Sequence, residues 1–294
     1  MRAAHTQSGA SRAAAQFPRW RRVLVVNIFF GAVFLASTVI QTAALVNSTQ
    51  ENGAQQAIGA KRPEAKTKQE RDDFNAAYAL TGAAAEDSAA NDFAAKYPTS
   101  ELRHYLYSSA MLQYQHENNP AKMLAMGEKV LELDPDNPLA LVLTATALAD
   151  GLGDRDRDRD KKISAIKHNA GRAIQAAETA YADTSTEATP LYKTTLQSMA
   201  YSALGIMKLK TGDDAGAEKD LKIAADLTKI RPDPRVWYHL ALAQDHRKKY
   251  AAALSSVEQA LQLSSSDSEL QQLAEVEHER LAGMAKGSRN TEPQ

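Results

Sequence analysis

YSALGIMKLKTGDDAGAEKDLKIAADL (residues 201–227) and WYHLALAQDHRKKYAAALSSVEQALQL (residues 237–263) follow one pattern. Each opens on a large apolar anchor, Tyr201 or Trp237, followed by Leu204-Gly205 or Leu240-Ala241. A polar turn comes next, through Gly212 in the first stretch and up to Tyr250 in the second. A second run then carries a small-large-small stripe: Ala217, Leu221 and Ala224, or Ala253, Val257 and Ala260. Spacings of three and four place each stripe on one face of a helix. A small residue is needed where two helices cross, because a branched side chain would hold them apart, and the large residues fill the space beside the crossing. Recurrence of such a unit at about 34–36 residues specifies a helix pair that stacks on copies of itself.

Outward from these stretches, helix starts are marked plainly. Asn119-Pro120, Asn137-Pro138, Thr189-Pro190 and Asp233-Pro234 each set a capping side chain before a proline. The side-chain oxygen takes an orphan backbone N–H, and proline loses nothing at the first helical position. Ser266-x-x-Glu269 reads as a capping box, and Tyr97-Pro98-Thr99-Ser100-Glu101 as a turn into a helix. No period-two run bounded by turn residues competes, so no strands are expected. The predicted pairs are 68–81 with 84–96, 100–116 with 120–133, 138–150 with 161–181, 190–211 with 214–229, and 234–247 with 250–263. Ala145 is the expected crossing residue of the third pair, with Ala170, Ile174 and Ala177 opposite. A last helix, 267–285, aligns Leu270, Leu273, Val276, Leu281 and Met284, with Glu275, Glu277, Glu279 and Arg280 largely turned away. Such a helix suits the end of an open-ended array, which needs one wet face.

The quoted segments resemble the tetratricopeptide (TPR) family. Ala90-x-x-Phe93 before Tyr97-Pro98 is similar to the second-helix ending of its exported members, and Leu133-Asp134-Pro135 to the family's usual ending, with Tyr114 at an expected aromatic place. Met123 and Gly127 depart from the pattern, since alanine and a bulky residue are usual there. The resemblance covers 68–285 and implies an all-α, right-handed α-solenoid of about five helix pairs plus a C-terminal capping helix. It also implies a protein-interaction scaffold without enzymatic activity.

Composition agrees with packed helices. Of the 294 residues, 44% are hydrophobic but only 6% aromatic, so the core must be built largely from Ala and Leu. The net charge of −1 supplies no field to draw the chain to nucleic acid. The absence of cysteine excludes disulfides, thiolate metal sites and a cysteine nucleophile.

The N-terminus reads differently. Arg2, Arg12, Arg19, Arg21 and Arg22 precede an uncharged apolar stretch, 23–46, and the first acid is Glu51. That order is an export or anchoring signal with the N-terminus cytoplasmic. As a signal peptide its core would be Val23 to Ala36, with cleavage after Ala44; as an anchor, 23–46 reaches the ~20 residues that span a bilayer. Asn27, Ser37, Thr38, Gln41 and Thr42 weaken its second half as a lipid-facing helix. The predicted organisation is therefore signal or single-pass anchor (1–46), flexible linker (47–67), repeat domain (68–286) and disordered tail (287–294), with the repeats in a bacterial periplasm.

Chemistry-bearing motifs are few. Asp154 to Asp160 alternate strictly with arginine after Gly151-Leu152-Gly153, but a calcium loop needs a distal Glu, and counting twelve from Asp154 or Asp156 reaches Ala165 or Lys167. The arginines also neutralise the carboxylates, so a self-paired charged loop or helix extension is expected. The histidines do not cluster: His116 and His246 close the first helices of their pairs, and His104, His168, His239 and His278 are scattered. No nucleophile elbow, phosphate loop or dinucleotide fingerprint appears. Neither cofactor nor metal is expected; a metal-dependent hydrolase on the Asp/Arg stretch is the least supported alternative.

The resemblance places ligand contacts on the first helix of each pair, lining a concave groove. By helical spacing these are Tyr105, Leu112 and His116; Leu139, Val142 and Thr146; Ser202, Ile206 and Lys210; and Tyr238, Leu242 and His246. This mix of apolar, aromatic and a few polar groups suits a peptide or helix of a protein partner. Chaperone-tail-binding members clamp a carboxylate with Lys and Asn where this chain has Ser202, Ile206, Tyr238 and Leu242, so that ligand is not expected. A glycan-binding or assembly factor of an envelope secretion or polysaccharide machinery is the alternative, although such a groove would carry more Trp, Asn and Asp.

Overall fold

The computed structural model describes residues 64–180, 188–264 and 268–289. They form helices joined by short turns, with no strand among the described residues. The helices are α1 (Lys68–Tyr78), α2 (Ala83–Lys96), α3 (Arg103–His116), α4 (Pro120–Leu133), α5 (Pro138–Asp150), α6 (Arg159–Ala180), α7 (Ala188–Thr211), α8 (Asp214–Leu227), α9 (Pro234–His246), α10 (Tyr250–Leu263) and α11 (Ser268–Arg289). The apolar stretch 23–46 and most of the expected linker lie outside the described residues. Among those that are described, no helix is long and apolar enough to cross a membrane.

The caps work as their chemistry requires. Asn119 Oδ1 accepts from Lys122 N (3.2 Å), Asn137 Oδ1 from Ala140 N (3.0 Å) and Asp233 Oδ1 from Arg235 N (2.9 Å), each with a proline in the first turn. The Thr189-Pro190 expectation differs: α7 begins at Ala188, so both residues lie inside its first turn. Ser266 is outside the described residues, and α11 runs to Arg289, into the stretch expected to lack structure.

Within the second, fourth and fifth pairs the turn is one recurring device. Asn119 N donates to Tyr114 O (2.8 Å), Asp213 N to Lys208 O (2.9 Å) and Lys249 N to Gln244 O (2.9 Å). The residue before each donor, Asn118, Gly212 or Lys248, has φ of 53°, 83° or 61°. This is a helix end closed through a left-handed residue. Asn and Gly adopt that conformation readily; Lys248 does so at a cost of roughly 1 kcal/mol.

Each helix packs chiefly on its neighbours in the chain, so spatial order follows chain order. The exception is α7, which lies against α5 as closely as against α6. One continuous core runs from α2 into α7, built on Ala90, Phe93, Met111, Met123, Leu141, Leu143, Ile166, Ala170, Leu196 and Met207. Beyond it the core divides into smaller clusters, and Trp237 packs against each of them. At the crossings small residues are obligatory. A Cβ on Gly205 would lie 2.5 Å from Leu221 Cγ, and one on Gly127 would lie 2.6 Å from Thr144 Cγ2. The departure at Met123 and Gly127 is thus a compensated exchange: Met123 is fully buried, and Gly127 lets α4 approach α5.

The final helix corrects the expected stripe. Leu270, Ala274, Glu277, Leu281 and Ala285 face inward, whereas Val276 is 70% exposed and Met284 45%. The inward line follows three- and four-residue steps from Leu270, which carries it through Glu277 rather than Val276. Burial of Glu277 is possible because Arg280 donates to both its oxygens (2.6 and 3.1 Å) while also meeting Asp245 of α9 at 2.5 Å.

Candidate binding face

The expected groove residues do not share one environment. Tyr105 packs in the aromatic cluster that closes the first pair, 6.5 Å ring to ring from Phe74, and Leu112 lies half-buried beside the core. His116 is exposed. Val142 is fully buried and Ile206 is 5% exposed, because α7 lies across α5 and covers the face on which both were expected. Of their neighbours, Leu139 and Thr146 stay half-buried. His246 Nδ1 sits 2.8 Å from Asp214 Oδ1, tying the end of α9 to the start of α8. Ser202 and Leu242 are half-buried on α7 and α9. Of the residues expected to pack the repeats, Ala217, Leu221, Ala224, Leu240, Ala241, Ala253, Val257 and Ala260 are buried, Gly205 is shielded by Leu221, and Tyr201, Leu204, Trp237 and Tyr250 are half-buried against the core clusters.

Asp150, Lys210, Tyr238 and His239 are half-buried polar residues on first helices of successive pairs: Lys210 holds the end of α7 against the end of α5, and α9 packs beside α7. Lys210 Nζ donates to the carbonyls of Ala149 (2.9 Å) and Asp150 (2.5 Å), capping the negative end of α5. His239 Nδ1 lies 2.9 Å from the Arg235 carbonyl. A carbonyl only accepts, so Nδ1 carries the proton and Nε2 is an acceptor.

The surroundings set the charges. Burial pushes the Asp150 carboxyl up to about 6, against the opposing pull of Lys210 and Arg235. Burial also lowers His239 to about 4, so its ring is neutral near pH 7, and raises the Tyr238 hydroxyl to about 12, with Glu277 adding to that rise. Lys210 is lowered by burial, against the pull of Asp150, Asp156 and Asp154.

The Asp/Arg insertion borders this junction. Asp156 Oδ2 accepts from Gly153 N and Lys162 Nζ, both at 2.9 Å, forming a tight self-paired turn. Arg159 opens α6 and reaches further, donating to the Gly153 carbonyl (2.9 Å) and the Lys210 carbonyl (2.6 Å). The insertion is thus a clasp between the third and fourth pairs as well as a charged loop. No cluster of potential metal-ligating residues occurs among the described residues.

Sequence reasoning missed Asp150, Arg235 and His239. Asp150 had a signal: it is the single charged residue of α5, at the end of an otherwise apolar and small helix. Arg235 and His239 flank Tyr238 one turn apart on α9 and had none beyond that position.

No protein-family model matches the chain, and no similar curated protein was found. Among solved structures, a thermophilic TPR protein from Thermus thermophilus matches over 71% of this chain and 98% of its own, at 15% sequence identity and a TM-score of 0.44. That likeness is too distant to assign a family or a function.

Proposed function

We propose that this chain is a non-enzymatic protein-interaction scaffold of the tetratricopeptide type, binding a peptide or helix of a partner on its inner face. The observation that carries this reading is the array of helix pairs in which the first helices α5, α7 and α9 pack against one another, with Lys210 of α7 bonded to the end of α5. Ser202, Tyr238 and Leu242 on these helices are half-buried and leave surface for a ligand. A peptide laid there gains apolar contact together with a few fixed polar partners. The arginine-rich start and the uncharged stretch 23–46 support a place for the scaffold on the outer side of a bacterial inner membrane.

The test is affinity capture from envelope extract with the full-length chain and with a Tyr238→Ala/Leu242→Ala variant whose helicity and melting are checked first. A protein retained by the parent and lost by the folded variant supports the reading. Equal retention by both removes the binding site from this face.

A further inference from the structure

Two of the four large apolar side chains left exposed among the described residues lie on α11: Val276, 70% exposed, and Met284, 45%. The other two, Leu80 and Ile230, stand singly in connections between helices. α11 spends Leu270, Ala274, Leu281 and Ala285 on the array, chiefly against α10, and the side that carries Val276 and Met284 is left to solvent. These two residues stand four positions to either side of Arg280. An antiparallel pair of identical helices requires that spacing, because residues equally far before and after the crossing point then meet.

Charge follows the same symmetry. Glu275 lies five positions before Arg280 and Lys286 six positions after it, and both are exposed. Crossed at Arg280, an antiparallel pair sets Glu275 of each chain beside Lys286 of the other. A parallel pair would set like charge against like. Neither residue has an ion pair among the described residues, and Glu275 accepts only from the neutral Gln271 (3.0 Å). At the crossing itself Arg280 is already held by Glu277 and Asp245, so the two copies do not oppose uncompensated charges. Gly283 leaves room for a close approach, since nothing lies within 4 Å of the place a Cβ would take.

We propose that α11 is a self-association surface, through which two copies of this chain pair antiparallel with Val276 of one against Met284 of the other. The apolar contact supplies affinity, and the Glu275–Lys286 pairs at its rim select the antiparallel direction. One pair of helices buries less than the ~1,600 Å² of a standard interface, so the dimer is weak and forms in the micromolar range. The inference stands independently of the peptide-binding reading.

The chain has no cysteine, so introduced cysteines report this contact alone. Full-length Val276→Cys, Met284→Cys and Val276→Cys/Met284→Cys variants are treated with a thiol oxidant in the cells that make them, after each has been shown to keep the parent's helicity. Disulfide-linked dimer is read on a non-reducing gel, with Ile230→Cys as the measure of random collision. In the antiparallel pair the two copies of position 276 lie about 12 Å apart along the helix axis, beyond the ~7 Å between Cα atoms that a disulfide spans, whereas positions 276 and 284 meet. The double variant is therefore expected to give several-fold more linked dimer than either single variant or Ile230→Cys. Adding Glu275→Lys to it should cut the yield several-fold, and adding Glu275→Lys with Lys286→Glu should restore it. Linkage by a single variant as strong as by the double, no excess over Ile230→Cys, or a yield indifferent to Glu275→Lys overturns the proposal.

Discussion

Gly205 and Ala241 occupy equivalent places in the fourth and fifth pairs, and the residues opposite them vary in the other sense: Leu221 faces Gly205, while Val257 is the counterpart opposite Ala241. The crossing conserves volume rather than identity. Gly205→Ala should therefore cost about 1–3 kcal/mol despite alanine's better helix propensity, and adding Leu221→Val should recover most of the loss, read as a double-mutant cycle in urea. Asp150 and His239 yield a pH prediction with opposite signs. The folded state holds the Asp150 proton between the ordinary carboxylate range and about 6, so this group's contribution to stability is present at low pH and lost as pH rises through that window. His239, held at about 4, binds fewer protons when folded, so its contribution grows with pH up to about 6.5. Asp150→Asn should raise stability by about 1 kcal/mol above pH 6 and leave a curve that rises with pH. His239→Gln should leave one that falls. Identical slopes in the two variants, measured by urea titration from pH 4 to 7.5, would sink this account. These pairs also show what the sequence could reveal: the crossing glycine was legible because spacing dictates it, whereas the surroundings of Asp150 and His239 depend on how three helices converge, which no local pattern encodes.

At the scale of elements, helix starts were readable where Asn119, Asn137 and Asp233 precede a proline, though not at Thr189-Pro190, and the apolar α5 was readable from composition. What covers an element was less so. Val142 has the spacing of a groove residue, but α7 lies on α5, an arrangement fixed by the insertion and by Lys210 and Arg159 at its edge. In α11, hydrophobicity favoured Val276 over Glu277, and the packing reversed them because Arg280, itself anchored on Asp245, makes the buried carboxylate tolerable. Arg280→Met should leave Glu277 enclosed without its cation and cost about 3 kcal/mol, with the amides of α11 losing hydrogen-exchange protection. Glu277→Met/Arg280→Met should recover much of that. A double variant as unstable as the single one would mean that the pair does not account for the burial.

On the scale of the whole molecule, a chain whose spatial order follows its sequence order has stability distributed along its length. The core is continuous from α2 into α7 and divided beyond it, so the amides of α9 to α11 should exchange faster than those of α4 to α6. Uniform exchange across the array would argue for one cooperative unit instead. The account's central claim is that a partner lies on the face formed by the first helices of the pairs. Site-specific photo-crosslinking tests that claim most directly. A photoreactive residue is placed at Leu242 on the proposed binding face, or at the exposed Lys222 on α8, in the full-length protein inside its native cell. The account predicts a discrete crosslinked partner from position 242 and none from position 222. Crosslinking from position 222 alone, or from neither position, would contradict it.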